Sequence, residues 1–185
     1  MFIQTESTPN PATLKFLPGR AVMGEGAVAD FASPKAAERS PLARALFETP
    51  EVARVFFGAD FISVTKSGGE WKHLKPAILG AIMEHFTRGL PLIERGAEET
   101  EAVSEGEDSE VVAQIKELIE TRVRPAVAQD GGDIIFKGFD EASGVVFLHM
   151  RGSCAGCPSS TMTLRNGIEN MLRHYVPEVS AVEAV

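Results

Sequence analysis

The chain carries one short motif, Gly152-Ser153-Cys154-Ala155-Gly156-Cys157-Pro158, which holds both of its cysteines. A β-branched run, Val145–Met150, precedes the motif, and a run with apolar residues at helical spacing follows it. This order predicts a strand, a loop and a helix. Pro158 suits the first turn of that helix. The cysteines are therefore expected at a helix N-terminus, where the helix dipole favours negative charge and thiolates form more readily.

A C-x-x-C pair by itself is compatible with three kinds of chemistry. It can bind an iron–sulfur cluster, act as a dithiol–disulfide redox site, or supply half of a structural zinc site. The redox interpretation expects the pair in the first βα unit of a thioredoxin-like domain. Here a helix and two strands precede the pair in its own domain, which counts against that interpretation. Two cysteines without a role are the remaining alternative, because free cysteine commonly serves as a small buried hydrophobe.

The number of thiols limits how a cluster could be held. Both [4Fe–4S] and [2Fe–2S] clusters normally take four cysteine thiolates, and this chain has two cysteines. A homodimer with the cluster between two copies of the loop is the simplest solution. Small thiols or a partner protein are other sources of the missing ligands. A cluster at such a junction would be exposed and easily released, which suits a carrier.

The elements around the motif define a C-terminal domain. Ser109 is a plausible N-cap for a first helix, which Pro125 must bend or divide. A turn at residues 130–133, two strands, the cysteine loop, a second helix and a last strand follow. The predicted strands and last segment are Ile134–Phe139, Val145–Met150 and Val179–Val185. The predicted order is α-β-β-loop-α-β.

The N-terminal part is predicted to be a second small α+β domain. Short strands are expected at Phe2–Glu6 and Ala12–Leu17, and a short helix at Pro41–Phe47. Val52–Phe57 and Phe61–Lys66 are rich in β-branched and aromatic residues and form a hairpin signal. A longer helix is expected from Trp71 to about Thr87, with apolar residues at helical spacing.

An acidic strip separates the two predicted domains. Eight acidic residues and one basic residue lie between Pro91 and Glu110, in a chain of net charge −8. Such a strip repels itself and cannot bury enough apolar surface to fold. We therefore predict an α+β protein with domains at residues 1–89 and 109–185, joined by a flexible linker at residues 90–108.

Composition narrows the class of partner and the compartment. No dense basic stripe is present, so nucleic acid is not expected as a partner. No apolar run approaches the ~20 residues that span a bilayer, so no membrane partner is expected. The N-terminal residues resemble neither a signal peptide nor a transit peptide. A cytoplasmic, bacterial-type setting is expected, and a processed mitochondrial form is left open.

The four histidines are not spaced like metal ligands. His73 and His85 fall on the N-terminal helix, His149 falls in a strand, and His174 lies near the end of the last helix. They are expected to be surface or hydrogen-bonded histidines. No nucleophile motif accompanies the serines of the loop, so no catalytic residues are expected.

Several motifs together resemble a known family. They are Gln129-Asp130-Gly131-Gly132-Asp133-Ile134, Leu148–Arg151, and Gly152–Ser160 followed by Thr163-Leu164. Residues 109–185 thereby resemble the Nfu-type iron–sulfur scaffold domain, a module also found at the C-terminus of NifU. Thr8-Pro9-Asn10-Pro11, the Phe61 strand and the Trp71 helix resemble the N-terminal domain of Nfu proteins.

The resemblance implies a function as well as a fold. It implies a non-enzymatic carrier in which two subunits assemble a [4Fe–4S] cluster, with Cys154 and Cys157 as the cluster and metal ligands. A [2Fe–2S] form is the lesser alternative. The implied partners are apo iron–sulfur clients and upstream cluster-assembly proteins. The competing function from the residues themselves is a dithiol–disulfide oxidoreductase.

Overall fold

The structure, a computed structural model, describes residues 1–25, 27–94, 109–152 and 158–185, and the side chains of residues 158–161 fall outside that description. The chain divides into two compact units, Met1–Glu99 and Thr100–Val185. Both mix helices and strands, which confirms the predicted α+β class. The predicted boundaries at residues 89 and 109 stay a prediction, and most of the predicted linker lies outside the described residues.

The N-terminal unit contains a five-stranded antiparallel sheet in the order β1-β2-β5-β4-β3. Its strands are β1 (Gln4–Ser7), β2 (Thr13–Leu17), β3 (Ala29–Phe31), β4 (Val52–Phe57) and β5 (Ile62–Lys66). Its helices are a 3₁₀ turn (Ala36–Arg39), α1 (Pro41–Phe47) and α2 (Trp71–Arg88). The predicted β4–β5 hairpin and both predicted helices are confirmed. The sequence analysis missed β3 because three residues show no periodicity.

Local signals explain where these helices begin and end. The Ser40 hydroxyl accepts a hydrogen bond from the Ala43 N–H and caps α1, with Pro41 at its first position. Gly89 ends α2 in the left-handed conformation that glycine adopts without penalty. The apolar stripe of α2 buries Leu74, Ile78 and Ile82 against the sheet.

The C-terminal unit is a three-stranded sheet with helices packed on it. Its elements are α3 (Glu110–Leu118), a π-helical turn (Ile119–Val123), α4 (Arg124–Gln129), β6 (Gly132–Asp140), β7 (Val145–Gly152), α5 (Pro158–Tyr175) and β8 (Ala181–Ala184). The sheet order is β6-β7-β8, with β6 and β7 antiparallel and β7 and β8 parallel. This confirms the predicted element order.

Two local features depart from the sequence analysis. The division expected at Pro125 takes the form of a π-helical turn just before α4, because proline supplies no N–H to the helical ladder. The turn expected at residues 130–133 is shorter than predicted. Gly132 and Asp133 already belong to β6, where they pair with Gly152 and Arg151.

The core of the C-terminal unit is aliphatic. Ile115, Ile119 and Ile134 are fully buried or nearly so, and Leu148 and Leu172 complete its centre. Among the residues that the structure describes, no helix is long and apolar enough to cross a bilayer.

Candidate functional site

The cysteine motif connects the end of β7 to the start of α5. β7 ends at Gly152 and α5 begins at Pro158, so the predicted strand-then-helix context of the motif is confirmed. Cys154 and Cys157 lie in residues 153–157, outside the described residues. Their role as ligands therefore stays a prediction, and the site can be built from the elements that flank them.

The strand end of the site is formed by β6 and β7 together. Gly132 pairs with Gly152, and Asp133 pairs with Arg151. Gly131 and Gly152 have φ angles of +79° and +65°, in the left-handed region that favours glycine. Both strands therefore change direction at the same end of the sheet. Beyond that end, the chain continues from Gly152 into the cysteine segment.

An ion-pair network lies at this end of the sheet. Arg124, the first residue of α4, donates from Nε to Asp133 Oδ1 at 2.8 Å and from Nη2 to Asp133 Oδ2 at 3.1 Å. Its Nη1 donates to both carboxylate oxygens of Glu120 at 2.9 Å. The Asp133 side chain is only 5% exposed, whereas that of Glu120 is 61% exposed. The hydrogen bond to Asp133 is the main reason that the pKa of Arg124 is raised.

The helix end of the site is anchored in the core. Ile168 and Leu172 of α5 are buried among the aliphatic residues. Glu169 Oε2 accepts a hydrogen bond from the backbone N–H of Val182 at 3.1 Å, which ties α5 to β8. The five residues that include both cysteines thus connect two elements that the core holds in place.

The histidines do not add to this site. His149 Nδ1 donates to the backbone oxygen of Val185 at 2.7 Å, so it connects β7 to the residue that follows β8. His85 differs from the expectation of a surface or hydrogen-bonded histidine, because it is 4% exposed and its Nε2 has no hydrogen-bond partner among the residues that the structure describes. Within the described ranges, no group of three or more His, Cys, Asp or Glu residues could hold a metal ion.

Sequence reasoning missed the Arg124–Asp133 pair. The two residues are nine positions apart, on a helix and a strand, and no periodic pattern relates them. The one available signal was Asp133 itself. It is an acidic residue placed directly before the buried run that begins at Ile134, where an unpaired carboxylate would be costly.

Two family models match the chain. The model described as "Scaffold protein Nfu/NifU N terminal" matches residues 3–89, and the model described as "NifU-like domain" matches residues 115–183. The matched ranges correspond to the two compact units.

Curated relatives resemble the chain along its whole length. It is 56% identical over 187 residues to the "NFU1 iron-sulfur cluster scaffold homolog, mitochondrial" of Homo sapiens, covering 100% of this chain and 72% of that protein. It is 54% identical to the "NifU-like protein 4, mitochondrial" of Arabidopsis thaliana, covering 99% of this chain and 65% of that protein. The chain thus spans about two thirds of the length of these relatives.

Proposed function

Because the chain belongs to the Nfu/NifU family of scaffold proteins, we propose that it is an iron–sulfur cluster scaffold and carrier, and not an enzyme. The observation that carries the proposal is the single C-x-x-C motif between the end of β7 and the start of α5. This motif holds all the cysteine of the chain. The cluster is the cargo that the protein assembles and passes on.

The donor set fits a cluster shared between two subunits. One chain supplies two thiolates, Cys154 and Cys157, and a [4Fe–4S] cluster normally takes four. Two copies of the chain supply all four. The described residues offer no alternative metal-binding group within one chain. A homodimer that forms as the cluster assembles is therefore the arrangement we propose.

The flanking elements suit both loading and release. The amino terminus of α5 favours the negative charge of a thiolate-bound cluster. A cluster held at a junction between two chains can be approached by the thiolates of an apo-protein, which replace Cys154 and Cys157 one at a time. The partners are thus apo iron–sulfur proteins that receive the cluster and upstream proteins that deliver iron and sulfide.

The chemistry of the thiolate ligands also indicates the cellular compartment. Thiolate ligands must stay reduced, so the protein belongs in a reducing compartment. The cytoplasmic setting expected from the sequence stays a prediction. The two relatives described above are named as mitochondrial, which makes an organellar setting the alternative.

Anaerobic reconstitution with ferrous iron and sulfide tests the proposal. The wild-type chain should give the visible absorption and Mössbauer signature of [4Fe–4S], at about one cluster per two chains. Light scattering should show a monomer-to-dimer shift during loading, and an apo client enzyme should regain activity when mixed with the loaded dimer. A [2Fe–2S] spectrum would replace the cubane assignment while keeping the carrier role.

Cysteine variants identify the ligands. Cys154→Ala and Cys157→Ala should each abolish stable loading, because the dimer then offers two thiolates instead of four. Gln114→Ala, at an exposed position of α3, is the matched control and should load normally. A full cluster in either cysteine variant contradicts the assignment. Metal-free reduction of a protein disulfide by the monomer, with no cluster under any loading condition, would favour the dithiol oxidoreductase.

A further inference from the structure

The Arg124–Asp133 pair is an unusual way to begin a strand. Ion pairs that leave water lose hydration, and well-packed apolar residues often stabilise a fold as well or better. Asp133 nevertheless sits 5% exposed, directly before Ile134 of the aliphatic core. A bidentate arginine–carboxylate contact fixes the orientation of both groups, because its two parallel hydrogen bonds allow one geometry. Apolar packing does not provide this.

The pair lies beside the part of β7 that pairs with β6 and not with β8. β8 pairs with β7 only from Val145 to Leu148. Within the described part of the chain, the last three residues of β7 therefore have β6 as their one sheet neighbour, through residues 132–134. Strand ends with few neighbours open most easily. The start of β6 pairs directly with Arg151 and Gly152, and the cysteine segment begins at the next residue.

A second arginine–aspartate pair in the N-terminal unit provides a natural comparison. Arg54 Nε donates to Asp30 Oδ1 at 2.8 Å, and Arg54 Nη2 contacts Asp30 Oδ2. The side chains are 23% and 12% exposed. This pair joins β4 to the three-residue edge strand β3, in a unit whose sequence contains no cysteine. It therefore has the same chemistry within a unit that supplies no thiolate.

We propose that Arg124 and Asp133 are positioning residues for the cysteine segment. They fix the start of β6, β6 pairs with the last two residues of β7, and the cysteine segment continues from that strand end. The proposal rests on the proposed scaffold function, and it concerns how long a bound cluster stays. Glu120, on the exposed side of Arg124, contributes little to this effect.

The test is a double variant, Arg124→Gln with Asp133→Asn, which removes both charges together and leaves no buried charge unpaired. We expect it to fold, to exchange the amide protons of Arg151 and Gly152 faster, and to lose its cluster to a chelator about 10- to 100-fold faster, as for other residues that orient metal ligands. The matched control is Arg54→Gln with Asp30→Asn, and Glu120→Gln is a second control. Both should release cluster at the wild-type rate.

Each outcome decides the proposal. Faster release from the double variant, with unchanged release from both controls, supports it. Wild-type release from a folded double variant overturns it and leaves the scaffold function standing. If the double variant does not fold, Arg124→Lys replaces it, because lysine keeps the charge but cannot make the bidentate contact with Asp133. The Arg124→Lys variant must then release its cluster faster than the wild type, or the proposal is overturned. A wild-type chain that loads no cluster overturns the proposed function, and this inference with it.

Discussion

The two units use the same kinds of interaction for different ends. The N-terminal unit builds its core around aromatic rings, with Phe31 and Phe57 edge to face at 5.1 Å, and its partly buried ion pair joins an edge strand to its neighbour. The C-terminal unit packs aliphatic side chains, and its partly buried ion pair lies at the sheet end that leads into the cysteine motif. The same pair of side chains thus lies at an edge strand in one unit and at the sheet end before the cysteine motif in the other, so its surroundings must be considered before a role is proposed.

The largest loss of stability should come from replacing one large buried side chain by alanine in the core of each unit. Phe31→Ala should cost about 3–5 kcal/mol in the N-terminal unit, and Leu172→Ala about 2–5 kcal/mol in the C-terminal unit, since both side chains are fully buried. Trp71, the one tryptophan of the chain, reports the N-terminal unit by fluorescence during urea unfolding.

If the units unfold independently, Phe31→Ala shifts the tryptophan transition and leaves cluster loading unchanged. Leu172→Ala should do the reverse. A shift of the tryptophan transition by Leu172→Ala would show that the two cores unfold as one, and the comparison between the units would then have to be abandoned.

A smaller effect should follow from Gly144→Ala, in the turn before β7. Gly144 has φ +71°, and an added Cβ would lie 2.6 Å from the backbone oxygen of Glu178. We expect a loss of about 2 kcal/mol, because strain and a steric clash act together. Gly167→Ala, in α5 with open space around its Cβ, is the control and should stabilise the unit by about 0.5–1 kcal/mol. Equal effects of the two substitutions in thermal unfolding would contradict this explanation.

Much of the fold could be predicted from the sequence because its signals are local. Pro41 after Ser40, the β4–β5 run and the spacing of Leu74, Ile78 and Ile82 each determine structure within a few residues. The end of β7 lies two residues beyond the predicted one, and β8 begins two residues after its predicted start and ends one residue before its predicted end. Such boundaries depend on pairing with other strands, which the periodicity of one strand does not contain.

The site was predictable only where its signal was also local. The C-x-x-C motif and its position between a strand and a helix follow from adjacent residues. The contact of Arg124 with Asp133 depends on the path of the chain through the π-helical turn and α4, and nothing in the sequence shows which strand residue the guanidinium will reach. The burial of His85, by contrast, agrees with its spacing, since it follows Ile82 by three residues and Ile78 by seven and so lies on the apolar face of α2.

Each unit has a helix with a serine N-cap, Ser40 for α1 and Ser109 for α3, so the two units can be compared by one hydrogen bond each. Ser40 is fully buried and accepts from Ala43 N at 3.1 Å, whereas half-buried Ser109 accepts from Val112 N at 3.4 Å. Ser40→Ala should cost about 1–2 kcal/mol and Ser109→Ala about 0.5 kcal/mol, because water can replace the second bond more easily. Urea unfolding of the two variants measures both, and a larger loss from Ser109→Ala would contradict the ranking by burial.

The smallest effect should be a dependence of the stability of the N-terminal unit on pH, caused by His85. Burial lowers the pKa of His85, with a hydrogen bond to the Leu90 backbone acting in the opposite direction. Glu48, directly after α1, and Glu84 and Arg88 of α2 line the groove beside it. The unfolded chain then binds a proton more readily than the folded unit. Stability should be constant above about pH 6.5, the ordinary histidine value, and should fall as the pH drops from there through the lowered pKa.

The stability of the N-terminal unit, followed by tryptophan fluorescence as a function of pH, tests this. His85→Leu should remove most of the pH dependence, and His73→Gln, at an exposed position of the same helix, should leave it unchanged. An equally steep profile in His85→Leu would assign the dependence to the carboxylates instead.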